Sequence, residues 1–255
     1  MENSPDLWRS VFPEPQTSGH KYHRGHTAIV GSDTFTGATR LAADACSRIG
    51  SGLVTVLSAA QAQVYRATLR ADIMVADGPL EQVRSVNCFL TGPGGVSDAQ
   101  ANSLQSSDVA VPTILDADAI RLSTTLAHET KVITPHDAEF ERYFGAIDTD
   151  RVLRAVDISH EHGLITVLKG PHTIIADPNG RIAEYSGGSP YLAKAGTGDV
   201  LAGLIAGLVA QGMPAFEAAC AGVWLHGEAS RRIGPGLIPQ DLVSELRPLL
   251  RQLLA

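Results

Sequence analysis

Apolar positions along this chain alternate between two registers: short β-branched runs, and longer stretches in which small and apolar residues recur every three or four positions. The run His26 to Gly31 (HTAIVG) reads as a buried strand. Ala38, Leu41, Ala42, Ala45, Cys46 and Ile49 then recur at helical spacing, closed by Gly50 and Gly52. Further strands are expected at Leu53 to Leu57, Asp72 to Val75, Cys88 to Thr91, Thr113 to Leu115, Val132 to Thr134 and Ile165 to Leu168, with helical stretches between most of them. Such a succession implies parallel strands joined by helical crossovers, an α/β fold whose sheet is covered on both faces. One hairpin breaks the rhythm: His172 to Ala176 and Arg181 to Tyr185 flank Asp177-Pro178-Asn179-Gly180, where Asn-Gly is expected to supply positive φ angles. Three helices follow, at Asp199 to Gln211, Ala215 to Arg232 and Gln240 to Leu254.

No linker, repeat or low-complexity segment divides the chain. Residues 18–255 are therefore expected to form one domain, after a flexible arm, residues 1–17, that carries Pro5, Pro13 and Pro15. Charged residues make up only 18% of the chain and hydrophobic residues 44%. Against a usual charged share of about 25%, this turns much of the sequence inward and excludes a disordered or fibrous protein. The three cysteines, Cys46, Cys88 and Cys220, lie far apart in apolar stretches, as reduced, buried thiols of a cytoplasmic protein do. A net charge of −7 leaves no basic field for nucleic acid or an anionic membrane as main partner. The longest apolar run, Val200 to Ala210, is interrupted by Gly203 and Gly207 and falls well short of the roughly 18 residues of a membrane span. Met1 to Gln16 lacks the apolar stretch of a secretory signal.

Ligands of open α/β sheets sit beyond the carboxyl ends of the strands, so the residues after each strand are where chemistry is expected. Gly196-Thr197-Gly198-Asp199 precedes an apolar helix; glycines there bare backbone N–H groups at the positive helix end, a ready anion site, although a carboxylate in a first turn is also an ordinary cap. Lys169, one of only four lysines, follows a buried strand and suits contact with phosphate as well as it suits a snorkelling surface position. Asp116-Ala117-Asp118 offers paired carboxylates for a metal ion or sugar hydroxyl, or a helix cap. Thr134-Pro135-His136 offers a histidine for substrate or for structure. Thr36-Gly37-Ala38 either admits a ligand close to backbone or starts a helix. Neither a G-x-G-x-x-G fingerprint nor a Gly-Lys-Ser/Thr phosphate loop is present, so a nucleotide would be held differently.

These segments form an ordered set with His20-Lys21-Tyr22-x-Arg24-Gly25, Gly50 to Val56, Gly92-Pro93-Gly94, Glu139-Phe140, Leu168-Lys169-Gly170-x-x-Thr173, Ala210-Gln211-Gly212 and Leu225-His226-Gly227. The set resembles the ADP-dependent NAD(P)H-hydrate dehydratases of the ribokinase-like superfamily, from about Ser18 to the carboxyl end. The resemblance implies a three-layer αβα fold with a central, mostly parallel sheet and helices on both faces. It implies a repair lyase: the ring hydroxyl of the S-epimer of hydrated NADH or NADPH is phosphorylated by ADP or ATP, and loss of phosphate restores the reduced cofactor. Asp199 would be the catalytic base; Ala38, Gly94, His136 and Asp199 would line the hydrated-cofactor pocket; Lys169, Gly170, Pro171, His172, Thr173 and Gly198 would hold the adenine nucleotide. Gly196, Thr197 and Gly198 would form the anion hole, with Mg2+ neutralising the phosphoryl charge through ligands the sequence does not name.

The resemblance also implies a homo-oligomer, a tetramer or larger. With only the short arm ahead of the domain, the epimerase that many relatives carry is expected to be a separate protein. The chain departs from the family pattern in Gly188 to Ala195, where Tyr191 and Lys194 alter bulk and charge, and in Pro171-His172 within the nucleotide loop. Two rivals stand beside the dehydratase: a small-molecule kinase of the same fold, for a vitamin precursor or sugar, and a non-catalytic nucleotide-binding paralogue.

Overall fold

The computed structural model describes residues 1–107, 111–127, 130–147 and 150–254. The β-branched runs become strands β1 (His26–Val30), β2 (Leu53–Leu57), β3 (Met74–Ala76), β4 (Cys88–Thr91), β5 (Thr113–Leu115), β6 (Lys131–Ile133), β7 (Ile165–Leu168), β8 (Thr173–Ala176) and β9 (Ile182–Tyr185). They form one sheet in the order β3-β2-β1-β4-β5-β6-β7-β8-β9, parallel as far as β7 and antiparallel for β8 and β9. The helical stretches become α1 (Thr36–Ile49), α2 (Ala62–Thr68), α3 (Asp98–Ser106), α4 (Asp137–Phe144), α5 (Arg151–His162), α6 (Thr197–Ala210), α7 (Ala215–Ile233) and α8 (Pro239–Leu253).

Alternation along the strands feeds two apolar layers. Ile29, Leu90, Ile114 and Val132 point to one face, against Ala42 and Cys46 of α1, Leu204 and Leu208 of α6, Phe216 of α7 and Leu246 of α8. Ala28, Val30, Phe89, Leu115 and Ile133 point to the other, against Leu104 of α3, Phe140 of α4 and Ile158 of α5. Covering on both faces explains why every residue of β1 is buried. The glycines that interrupt the apolar run of α6 are where α1 crosses it: a Cβ at Gly203 would lie 2.3 Å from the Ala42 carbonyl oxygen, and one at Gly207 2.4 Å from Ile49.

Three local expectations are corrected. β3 begins at Met74 because Asp72 is occupied in the preceding turn, accepting from Ser47 Oγ at 2.5 Å and from Arg70 at 2.9 Å. β6 ends at Ile133, and Thr134 turns its hydroxyl to Asp116 at 2.6 Å. In the hairpin turn only Gly180 takes a positive φ, 82°; Asn179 does not, because Asp177 Oδ1 accepts the amides of Asn179 (3.0 Å) and Arg181 (2.8 Å) and sets an Asx turn.

The amino-terminal arm, expected to be flexible, is docked over Met1–Phe12. The Asn3 amide donates to the Glu184 carbonyl at 2.8 Å and the Glu184 amide to that of Met1 at 2.9 Å, so the arm extends the sheet beyond β9. Trp8 is fully buried, its ring 5.7 Å from those of both Phe12 and Trp224. The apolar residues of α7 therefore have partners in their own chain: Phe216, Cys220 and Val223 lie in the core and Trp224 lies against Trp8. All three cysteines are free and buried. Among the described residues no helix is long and apolar enough to cross a membrane.

The strand order places a switch point between β1 and β4, because the chain runs outward from β1 through β2 and β3 before β4 joins on the other side. Connections leave in opposite directions there and open a crevice at the carboxyl edge.

Candidate active site

The loops after β1 and β4 meet across that crevice. Ser32 Oγ donates to the Gly94 carbonyl at 2.6 Å while accepting the amides of Thr34 and Phe35, each at 3.1 Å. Thr39 Oγ1 donates to the Pro93 carbonyl at 3.0 Å. Gly94 has φ 87°, and a Cβ on it would lie 2.4 Å from the Phe35 oxygen and 3.2 Å from the Ala38 Cβ. Ala38 and Gly94, expected to line one pocket from distant parts of the sequence, are thus brought together as a tight backbone floor.

The ends of β5, β6 and β7 gather charge. Asp116 is 4% exposed; its Oδ1 accepts from Thr134 Oγ1 at 2.6 Å and from Lys169 Nζ at 3.1 Å. Lys169 Nζ also lies 3.8 Å from Glu139 Oε2. The Lys169 amide donates to the Pro135 carbonyl at 2.8 Å, which fixes the lysine beside the β6 exit. Its charged form is favoured above the usual lysine range: burial opposes the charge, but Asp116 and Glu139 outweigh it. His136 caps α4, its Nδ1 accepting the Glu139 amide at 3.2 Å while its own amide donates to Glu139 Oε2 at 2.8 Å. With Nδ1 an acceptor, the neutral ring carries its proton on Nε2. The Asp116-Ala117-Asp118 pair parts: Asp116 turns into the cluster and Asp118 outward, to within 3.9 Å of Arg142.

Helix α6 begins at this edge with Gly196 in the left-handed region (φ 97°). Thr197 holds the turn together, its hydroxyl lying 2.8 Å from the Leu192 and 2.9 Å from the Lys194 carbonyl. Its amide also faces Lys194 O, at 3.3 Å, while the Gly196 and Gly198 amides have no protein acceptor among the described residues. Of the three amides expected in the anion hole, those two are open. His226 of α7 donates from Nε2 to the Thr197 carbonyl at 2.9 Å; burial keeps it neutral, its pKa pushed down to about 4. A Cβ on Gly198 would lie 3.4 Å from Lys169 Nζ, so the ammonium sits over the first turn of α6.

Asp199 belongs to the same turn. Burial first, then the negative charges of Asp116 and Glu139, push its carboxyl pKa up to about 7, against a lowering pull from Lys169. An aspartate whose pKa lies near neutral pH accepts a proton far better than an ordinary carboxylate does.

The segment Lys169 to Thr173 turns between β7 and β8. Thr173 Oγ1 donates to the Gly170 carbonyl at 3.0 Å, Gly170 and Pro171 are exposed, and His172 Nε2 lies 2.7 Å from Glu184 Oε2. Arg151, which no sequence signal singled out, reaches into this turn from the start of α5. Tyr191 and Lys194, the departures ahead of the glycines, are both exposed, and the Lys194 carbonyl lies against Thr197 in the turn that opens α6.

Among the described residues no three His, Cys, Asp or Glu side chains are grouped to hold a metal ion. Magnesium needs no such cage; it is commonly held by one or two carboxylates together with substrate phosphates and water. Asp116, Glu139 and Asp199 against the single ammonium of Lys169 leave an excess of negative charge suited to a phosphate-borne divalent cation.

Residues 27–246 match the family model described as NAD(P)H-hydrate dehydratase. The chain is 34% identical to the ADP-dependent (S)-NAD(P)H-hydrate dehydratase of Neisseria meningitidis, covering 95% of this chain and 89% of that protein. It is 35% identical to the bifunctional NAD(P)H-hydrate repair enzyme Nnr of Moorella thermoacetica, over 96% of this chain and 53% of that one, so it spans about half the length of such bifunctional relatives. In fold it is similar to an ADP/ATP-dependent NAD(P)H-hydrate dehydratase from Bacillus subtilis crystallised with ATP and Mg2+, with a TM-score of 0.88, 24% identity and coverage of 99% and 98% of the two chains. Hydroxyethylthiazole kinase from Pyrococcus horikoshii shares the ribokinase-like layout more distantly, with a TM-score of 0.60 at 14% identity. The match runs through the sheet and every loop that builds the site, and the chain belongs to the NAD(P)H-hydrate dehydratase family.

Proposed function

We propose that this protein dehydrates the S-epimer of hydrated NADH or NADPH, using ADP or ATP as phosphoryl donor. The observation that carries the reading is the place of Asp199: a half-buried carboxyl in the first turn of a helix whose first amides are open and whose first turn lies under a lysine ammonium, a setting that pushes its pKa up to about 7. That is the equipment of phosphoryl transfer to a hydroxyl, which needs a base at the nucleophile and fixed positive potential at the phosphoryl group.

The hydrated ring lies on the floor of Ala38 and Gly94, with the Nε2–H of His136 as a donor at its rim. Asp199 takes the proton of the ring hydroxyl as its oxygen attacks the terminal phosphorus of the nucleotide. The Gly196 and Gly198 amides and the Lys169 ammonium hold the transferring oxygens. Asp116 or Glu139, together with the nucleotide phosphates, would hold magnesium, which would supply further charge neutralisation. Phosphate, a far better leaving group than hydroxide, then departs with its bonding electron pair, and loss of a proton from the neighbouring ring carbon restores the double bond. Lys169 to Thr173 and Gly198 bind the adenine nucleotide.

Cooperation with an NAD(P)H-hydrate epimerase belongs to the same proposal, supported by the bifunctional naming of relatives. A cytoplasmic location is supported by the three free, buried thiols, and homo-oligomeric assembly by the family resemblance alone. The test is recovery of reduced-nicotinamide absorbance when purified protein meets S-epimer NADH hydrate with Mg2+ and either ADP or ATP. Recovery with one nucleotide establishes the reaction and names the donor. No recovery with either, from folded protein that binds ADP, overturns it and favours another hydroxyl substrate.

A further inference from the structure

We propose that Arg151 is the positioning residue of the nucleotide loop: its guanidinium clamps the two ends of the Lys169–His172 turn and is itself aimed by Asp137. The inference rests on the reading of Lys169 to Thr173 as the nucleotide site.

An arginine beside a phosphate loop invites assignment as a phosphate ligand. Its hydrogen bonds say otherwise. Arg151 Nη1 donates to the His172 carbonyl at 2.6 Å and Nη2 to the Lys169 carbonyl at 3.0 Å, while Nε and Nη2 donate to Asp137 Oδ1 at 3.2 and 2.6 Å. Guanidinium has five N–H groups in a rigid plane, and these bonds engage most of them. The charge is spent on backbone and on one carboxylate, and the side chain is only 27% exposed.

Each partner gives the clamp a consequence. Lys169 is held at both of its backbone groups, by Arg151 at the carbonyl and by Pro135 at the amide, so the clamp also fixes the root of the side chain whose ammonium lies over Gly198. His172 is held at its carbonyl by Arg151 and at its ring by Glu184, which keeps the exposed middle of the turn in one shape. Gly170 lies flush against the guanidinium: a Cβ there would come within 2.8 Å of Nη2 and 3.2 Å of Nη1. A side chain at the glycine of the Lys-Gly-x-x-Thr segment would have to push the guanidinium off the carbonyls it holds. Its φ lies outside the left-handed region, so close approach and not backbone freedom makes the demand. Arg151 itself is fixed as the first residue of α5, where Asp150 caps the helix by accepting the amides of Val152 (2.8 Å) and Leu153 (3.2 Å). A preformed loop spares the nucleotide the cost of ordering it, so the clamp acts chiefly on affinity, with a smaller effect on the chemical step through the Lys169 ammonium.

The experiment is calorimetric titration of ADP with Mg2+ into wild-type protein and the variants Arg151→Gln, Arg151→Lys, Asp137→Asn, Arg151→Gln/Asp137→Asn and Lys169→Ala, with kcat at saturating nucleotide and far-ultraviolet circular dichroism on each. Arg151→Gln is expected to raise the ADP Kd roughly tenfold, with kcat within about twofold of wild type. Arg151→Lys should recover part of the loss, because an ammonium reaches one carbonyl and not both. Asp137→Asn, which leaves the loop untouched, should weaken ADP in the same direction and add nothing in the Arg151→Gln background. Unchanged ADP affinity in folded Arg151→Gln, while Lys169→Ala binds more weakly, overturns the clamp and leaves the nucleotide site standing. Unchanged affinity in Lys169→Ala overturns both.

Discussion

Two parts of the site are built on opposite plans. The cluster of Asp116, Lys169, Glu139 and Asp199 lies at the ends of buried strands and the starts of α4 and α6, where main chain fixes the groups and burial amplifies their mutual fields. The Lys169–Thr173 loop, the proposed nucleotide site, lies at the surface, and side chains from a helix and a strand fix it: Arg151 from α5 at its carbonyls and Glu184 from β9 at His172. Damage to Asp199 should fall on the chemical step, damage to the loop on affinity, and damage to Lys169, which belongs to both, on the two together.

The largest expected effect sharpens that contrast. Asp199→Asn should lower kcat by about 10²–10⁴-fold, the range of a lost general base, with ADP affinity nearly unchanged. An equal loss in both quantities would blur the division. Next comes stability, read by thermal unfolding as a function of pH. The folded-state pKa of Asp199 lies near 7, above the ordinary aspartate value of 3.8. The folded protein therefore holds this proton more tightly than the unfolded chain, and wild-type stability falls as pH rises through that window. Asp199→Asn should gain on the order of 2–4 kcal/mol over wild type above pH 7 and nothing at about pH 3; a gain independent of pH would refute the ionisation account. Gly94→Val should raise KM for the hydrated cofactor roughly tenfold through its collision with Phe35 O, sparing KM for ADP. His172→Ala, which removes one exposed pair of 2.7 Å, should weaken ADP by no more than about threefold.

The same contrast decides what was legible in the sequence. β-branched runs gave the strands to within one or two residues, and glycine before an apolar helix gave the start of α6, because local chemistry controls both. Asp116 and Lys169 stood out as charged residues after buried strands, but their meeting at 3.1 Å depends on the β5–β6–β7 order, which periodicity does not supply. Arg151 escaped notice because its role is set by packing across 18 residues of chain. The arm read as flexible from its prolines, yet Trp8, whose burial next to Trp224 anchors it, was the signal to weigh. Asn179 illustrates a local rule displaced by a competitor, since Asp177 imposed a different turn.

Asp199 as the proposed base, poised by its neighbours, is tested most directly by the pH dependence of kcat/KM, followed by recovery of nicotinamide absorbance in wild type and in Asp116→Asn. The wild-type rate should rise with pH through an apparent pKa near 7, and removing the Asp116 charge, which raises the Asp199 pKa, should move that rise to lower pH. A profile flat between about pH 5 and pH 8, or one that Asp116→Asn leaves in place, would contradict it.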